Sequence, residues 1–449
     1  MDASMSNQAV VFSTQTPYPL PSQKYMIPTT WRRYHLSQLV NKALGLAKPV
    51  PFDFLVKGEI LRTTIAEWCA ENGVGEEETL EIEYIESVLP PQRLSEFPHE
   101  SWVSAVSCSL PTHFLTTAYD GHLRAFDLSK NVTLDAALHS APITSFSVIS
   151  STDDTYKIAT SSQDLTAQIS EITLGESRSS SSSKVLASLH LHTAPVSSIA
   201  SNTSGTQLLT SSWDSLIGVW DTTIPFKHEV PEPTTTPATD QRTKKRRKVD
   251  PSSGDSSSPT AIRKAPLTVL KSHIGRVSKV AWLSPTQGVS CGFDSTLRTW
   301  DVERGLCTRT ISASEKPFLD LAVNVENQTA LAVSTDRTMM LYDLRAEEAL
   351  SAAAGSFLHP ATPSCVATTP ESSYQVVTGA YDGVVRVWDT RSTKAAISSF
   401  KAWDGTKKVL AVDWRRGVIG IGGEGGLDVW KVGVEHENQG GSRESQRSA

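Results

Sequence analysis

Three consecutive carboxylates, Glu76, Glu77 and Glu78, stand in the segment GVGEEET. On their own they read as acidic side chains solvating a turn, although carboxylate oxygen is also what a hard divalent cation seeks. His, Ser or Thr, and Asp recur together along the chain, which mimics a nucleophilic triad. They recur at a spacing set by a repeat, however, and so read as structural hydrogen-bond partners. Gly420, Gly422 and Gly425 satisfy G-x-G-x-x-G. A dinucleotide site needs a helix straight after the glycines, and LDVWKV is strand-like, so a tight turn is the reading. KKRRKV, with Lys244, Lys245, Arg246, Arg247 and Lys248, is a dense basic cluster of the kind that enters acidic import-receptor grooves. It could also touch RNA phosphates. The five cysteines (69, 108, 291, 307, 365) form no C-x-x-C and read as core residues, not as zinc ligands or nucleophiles. No phosphate loop or metalloprotease motif occurs, so the expectation is a protein that is not an enzyme, has no cofactor, binds no metal by itself and acts by binding.

A repeat positions most of these residues. Seven segments share one pattern: a small or apolar run, an acid in a tight turn, and an aromatic six residues later. The turn acids are Asp120, Asp164, Asp214, Asp294, Asp336, Asp382 and Glu424, at spacings of 44, 50, 80, 42, 46 and 42. The later position holds Phe126, Ser170, Trp220, Trp300, Tyr342, Trp388 and Trp430. Five of the seven units end in aromatic-Asp, and a period near 42 with that dipeptide marks WD40 blades of four short strands. Segments such as VVRVW and TLRTW alternate β-branched and aromatic residues, as strands do. A hydroxyl stands four residues before the acid in five units (Thr116, Thr160, Thr210, Ser290, Thr378), and His139, His192, His273 and His359 lie further upstream. Such a set predicts a buried His–hydroxyl–Asp–Trp network. Ala332 and Gly420 take the hydroxyl position in units five and seven, whose networks should be incomplete.

The last unit runs out of chain after LDVWKV, so its outer strand must come from elsewhere. The stretch around 84–101 is the natural donor, which closes the ring and removes a sheet edge. The 80-residue gap exceeds the period, and 222–266 reads as a disordered inter-blade insertion carrying the basic cluster. The polar residues 434–449 read as a disordered tail.

Residues 9–86 have another texture. AVVFSTQ and KYMIPTT read as strands. Trp31 to Leu46 carries Leu36, Leu39, Val40, Ala43 and Leu44 at helical spacing. FDFLVKGEILRT reads as a hairpin about Lys57-Gly58, and Thr64 with Glu67 makes a capping box for a helix ending near Gly73. LEIEYIE alternates as a last strand. The order β-β-α-β-β-α-β is that of a ubiquitin-like β-grasp domain. The fold expected is therefore mainly β: a small α+β ubiquitin-like domain over 9–86, then a seven-bladed WD40 β-propeller over 87–433.

Composition agrees with this reading. The 449 residues carry 42 Lys and Arg against 48 Asp and Glu, a net charge of −6, which excludes a chain-wide basic field for nucleic acid. No apolar run reaches membrane-spanning length, and MDASMSNQAV shows no secretory signal, so a soluble protein of a reducing compartment is expected.

The pairing of these modules resembles ribosome-biogenesis factors with an N-terminal NLE domain. PVPFDFLVKGEILRTTIAEW and VLPPQRLSEFPHESWVSAV are most similar to the Ytm family, the subunit that joins the Pescadillo and block-of-proliferation proteins. The similarity spans 9–433. It implies a nuclear adaptor of nucleolus and nucleoplasm, acting on large-subunit precursors and holding the block-of-proliferation protein through its propeller. It also implies that the β-grasp domain docks on the metal-ion-dependent adhesion site of midasin, a giant AAA+ ATPase, where one Glu completes the metal's coordination. Alignment on G-x-x-x-E-x-x-L-x-[IV]-E-Y places that Glu at Glu77, with Glu76 and Glu78 as register alternatives. Two other readings remain: a Notchless-type factor using the same ATPase, and a substrate receptor of a ubiquitin ligase. A count of seven units argues against the first, whose propeller is larger.

Overall fold

The computed structural model describes residues 6–46, 48–75, 77–87, 90–152, 154–175, 177–231, 261–312, 315–346 and 352–432. The N-terminal module runs β1 (Asn7–Ser13), β2 (Lys24–Pro28), α1 (Arg33–Leu44), β3 (Phe52–Val56), β4 (Glu59–Ile60), α2 (Ile65–Asn72) and β5 (Leu80–Glu86). Its sheet has the order β2-β1-β5-β3-β4, with β1 and β5 parallel at the centre. Alternation along β5 sends Leu80, Ile82 and Tyr84 into the core and leaves Glu81 and Glu83 on the other face. Leu36 and Val40 of α1 and Ile65 and Trp68 of α2 close over that core. The β3–β4 turn is Lys57-Gly58, both with positive φ (50° and 78°), as a two-residue hairpin turn requires. α2 opens on a reciprocal box: the Glu67 amide donates to Thr64 Oγ1 (3.2 Å) and the Thr64 amide to Glu67 Oε2 (3.0 Å).

Downstream, the described residues form seven sheets, each with four antiparallel positions running from innermost to outermost. The innermost strands pack in chain order (Val103–Ser107, Ile143–Thr152, Val196–Ser201, Val277–Trp282, Phe318–Asn324, Pro363–Thr368, Val409–Arg415), and the last packs back on the first. Hydroxyls staple neighbouring sheets at the axis. Thr144 Oγ1 donates to Val196 O (2.7 Å), Ser197 Oγ to Val277 O (2.6 Å), Ser278 Oγ to Phe318 O (2.6 Å) and Ser364 Oγ to Val409 O (2.6 Å). Leu319 and Leu410 break this series. Carboxylates bridge there instead: Asp320 Oδ2 accepts from the Val366 amide (3.0 Å), and Asp413 Oδ2 from the Cys108 amide (2.7 Å).

The seventh sheet takes its outermost strand from the segment before the first. β6 (Gln92–Phe97) pairs antiparallel with Gly426–Lys431, and Arg93 Nε donates to the fully buried Asp428 carboxylate (2.8 Å). This strand lies inside the 84–101 stretch.

The insertion expected over 222–266 needs two corrections. It lies within a sheet, because the outermost strand of sheet three, Thr268–Lys271, follows it. The turn-to-turn period straddles that strand, so the repeat places the gap without saying which side of the outer strand it falls. The expected disorder also does not hold to 266. Ile262–Lys264 is a strand that adds in parallel to Ser182–Leu189, capping the open edge of sheet two. The Lys264 ammonium, nearly fully buried, pairs with the Asp221 carboxylate.

Candidate partner-binding site

The loop from α2 to β5 is short and pinned at both ends. Gly73 caps α2 in the left-handed conformation (φ 65°), and the Val74 amide donates to Cys69 O (3.0 Å). At the other end Gln8, buried in β1, donates from Nε2 to Glu78 O, and the Glu78 amide donates to Gly75 O (3.2 Å). Leu80 then buries itself and starts β5. The backbone is thus held while the side chains of Glu77 and Glu78 are exposed. Among the described residues neither carboxylate has a hydrogen-bond or ion-pair partner. Glu76 lies outside the described residues. Also among the described residues, no cluster of three or more His, Cys, Asp or Glu is placed to hold a metal ion. Glu77 and Glu78 are each an exposed hard oxygen donor of the type that divalent cations take.

The repeat residues form a different kind of set. Each of the six turn aspartates accepts, through Oδ1, the amide two residues on: His122, Thr166, Leu216, Thr296, Thr338 and Val384, at 3.0–3.2 Å. The residue between has positive φ in all six (Gly121, Leu165, Ser215, Ser295, Arg337, Gly383). In sheets three and four the network is continuous. Trp220 Nε1 donates to Thr210 Oγ1 (2.9 Å), which meets His192 Nε2 (2.9 Å), and His192 Nδ1 meets Asp214 Oδ2 (3.0 Å). Trp300, Ser290, His273 and Asp294 repeat this at 2.8, 2.7 and 2.8 Å. An indole only donates, so the hydroxyl accepts from it; a carboxylate only accepts, so it takes the ring N–H and leaves Nε2 to accept from the hydroxyl. Nδ1 therefore carries the ring proton and donates to the carboxylate. Burial opposes ionisation of Asp164, Asp214 and Asp294, yet the His hydrogen bond holds each carboxyl below the ordinary range.

Sheets one and six divide the network differently. Arg124 takes Asp120 (2.7 Å) and Arg386 takes Asp382 (2.9 Å). The displaced histidines donate from Nδ1 to backbone carbonyls instead, His99 to Phe97 O (3.0 Å) and His359 to Phe357 O (3.1 Å). Sequence reading missed His99. Its 17-residue lead over Thr116 matches the 17 between His273 and Ser290, which could have found it. In sheet five Ala332 takes the hydroxyl's position, and the buried Tyr342 hydroxyl has no hydrogen-bond partner among the described residues. In sheet seven Glu424 accepts from the Lys408 amide (3.1 Å). The basic residues Lys244, Lys245, Arg246, Arg247 and Lys248, and the tail 434–449, lie outside the described residues.

In sheets three and four these hydrogen bonds occupy every hydroxyl and imidazole named. Among the described residues, Glu77 and Glu78 are the carboxylates of the acidic loop left unpaired.

Two family models match parts of the chain. Residues 9–69 match the NLE (NUC135) domain, ending just before the acidic loop. Residues 183–221, 264–301 and 356–389 match the WD domain, G-beta repeat. Those three stretches end on Asp221, Asp301 and Asp389, and each holds a Trp–hydroxyl pair of the buried network. The chain is 95% identical to "Ribosome biogenesis protein YTM1" of Coprinopsis cinerea over 449 residues, covering 100% of both chains. It is 60% identical to the protein of that name from Laccaria bicolor, over 97% of each chain. To that from Saccharomyces cerevisiae it is 33% identical, over 88% of this chain and 90% of the relative. With an N-terminal NLE domain, WD repeats and relatives that match over nearly its whole length, the chain belongs to the YTM1 family of ribosome biogenesis proteins.

Proposed function

We propose that the chain is a non-catalytic adaptor in large ribosomal subunit biogenesis and rRNA maturation. The N-terminal module, 9–86, is read as a ubiquitin-like β-grasp domain, for which the central parallel β1–β5 pair speaks. The sheets over 87–433 are read as a seven-bladed propeller closed by β6. In this reading the propeller holds the block-of-proliferation protein, which holds Pescadillo, on large-subunit precursors in the nucleolus and nucleoplasm. The β-grasp domain offers Glu77 to midasin, so that ATP-driven movement releases the complex from the precursor.

One observation carries the reading: Glu77, like Glu78, is exposed and, among the described residues, unpaired on a loop held at both ends, and the motif alignment selects Glu77. Ordering cost is therefore small when a partner's cation takes the carboxylate. The divalent cation is the partner's. It would polarise nothing on this chain and would serve as the joint, and this chain supplies one carboxylate and its orientation. Lys244 to Lys248 serve nuclear import in the same reading. Affinity purification of the tagged chain from its own cells, with mass spectrometry, tests it. Recovery of Pescadillo, the block-of-proliferation protein and large-subunit precursors is expected. Recovery of ubiquitin-ligase or proteasome subunits without ribosomal proteins would overturn it.

A further inference from the structure

We propose that Arg391 latches the N-terminal module onto the propeller, so that the loop carrying Glu77 is presented in one fixed direction. Two copies of the same local motif in this chain reveal the latch. In sheet five, Arg345 clamps Asp343 two residues earlier, with Nε at 3.0 Å and Nη2 at 2.9 Å from the two carboxylate oxygens. In sheet six, Arg391 clamps Asp389 identically, at 2.9 and 2.6 Å. The arginine of the first pair is 66% exposed and that of the second 19%; Asp343 is 29% exposed and Asp389 is not exposed at all. What differs is the N-terminal module. The remaining guanidinium nitrogen of Arg391, Nη1, donates to Glu83 Oε1 of β5 (2.8 Å), and the group lies over the Tyr374 ring at 4.4 Å.

Further contacts surround this one. Arg62 Nη2 donates to Ala396 O (2.6 Å), and Lys394 pairs with Glu59 of β4. At the hairpin turn, a side chain at Gly58 would stand 3.2 Å from Arg391 O, so the turn itself meets the propeller. The face of the sheet turned away from its own core explains the fit. Leu55 and Ile85 alternate with the core residues Phe54 and Tyr84, and so belong to the outer face, yet both are buried (1% and 4% exposed). Ile85 lines the junction with Tyr374 and Trp414 of the propeller.

A guanidinium already fixed by Asp389 loses little freedom on meeting Glu83, so the latch is preorganised on the propeller side. Glu77 stands six residues before Glu83, which a chain spans in at most roughly 20 Å. The loop leads directly into β5, whose outer face meets the propeller from Glu83 to Ile85. The contacts are charge pairs near the surface, so salt weakens them. This inference stands independently of any partner of Glu77.

The test uses the full chain. A carbodiimide forms zero-length amide crosslinks between paired amines and carboxylates, and mass spectrometry reads the Lys394–Glu59 product. We expect this crosslink in the wild type at low salt. Glu83→Lys should lower its yield at least ten-fold and raise amide exchange across 390–397 at least five-fold. Glu83→Gln, a milder change on the outer face that spares the core, should move both readouts in the same direction by a few fold. Exchanging the charges, Glu59→Lys with Lys394→Glu, should restore a crosslink between the same two positions. A wild type without the crosslink would overturn the latch. So would unchanged yield and exchange in both Glu83 variants.

Discussion

Thr210→Val removes one oxygen from the sheet-three network while keeping the side chain's branched shape. Thr210 is fully buried and joins two groups: it accepts from Trp220 Nε1 and meets His192 Nε2, each at 2.9 Å. Trp220 is also fully buried and His192 is 9% exposed, so water cannot replace the lost partner without opening the sheet. Leaving a buried donor or acceptor unsatisfied costs roughly 1–3 kcal/mol. Two such groups give about 2–6 kcal/mol, a large share of a typical total stability of roughly 5–15 kcal/mol. Urea denaturation of the full chain, followed by circular dichroism, measures this through the midpoint at constant slope. Ser198→Ala is the control. Ser198 is equally buried, but its hydroxyl has no hydrogen-bond partner among the described residues. Its removal should change stability by less than about 0.5 kcal/mol, or raise it. A Thr210→Val protein within about 0.5 kcal/mol of wild type, or a Ser198→Ala protein just as damaged, would refute the assignment of strength to the network.

Other consequences are equally direct. Burial lowers the His359 imidazole from 6.5 to about 4. The unfolded chain then binds the proton first, so this group's contribution is complete above pH 6.5 and is lost as pH falls toward 4. His359→Gln should flatten the fall of melting temperature across that window, and an unchanged profile would contradict it. Phe97 of β6 is 1% exposed and packs on Phe114 and Phe126 of sheet one. Phe97→Ala should cost about 3–5 kcal/mol in the same urea experiment, far more than a surface strand would allow. Deleting 242–249 should hold a fluorescent fusion in the cytoplasm, and unchanged nuclear entry would remove the import role.

Much of this architecture is written in local patterns. A turn acid with an aromatic six residues later recurs because the Asx turn and the indole both serve one inner strand, so the spacing survives any drift between them. Thr64, Glu67 and Gly73 mark α2 because capping is a contact among near neighbours. LEIEYIE shows its inward residues by alternation alone. What stayed hidden depends on partners distant in sequence. Asp389-Thr390-Arg391 and Asp343-Leu344-Arg345 are equivalent as text, and only the packing of β5 makes one a latch. His99 lies ahead of the first repeat unit, just past the strand that closes sheet seven, where the repeat pattern has not yet begun. The role of Arg124 and Arg386 in taking Asp120 and Asp382 from the histidines follows from which side chain reaches the carboxylate first, a matter of distance that spacing does not record. The acidic loop is legible only as acidic: three adjacent glutamates look alike, and the pinning by Gln8 comes from a strand some seventy residues earlier.

The measurement closest to the central claim is binding of the purified full chain to the metal-ion-dependent adhesion-site domain of midasin, in magnesium and in chelator. The account predicts magnesium-dependent binding by the wild type, and its loss in Glu77→Ala with the melting temperature unchanged. Glu77→Asp keeps the charge but shortens the reach by one methylene, and should bind more weakly than wild type. Undiminished binding by a folded Glu77→Ala protein, or wild-type binding indifferent to chelator, would contradict it.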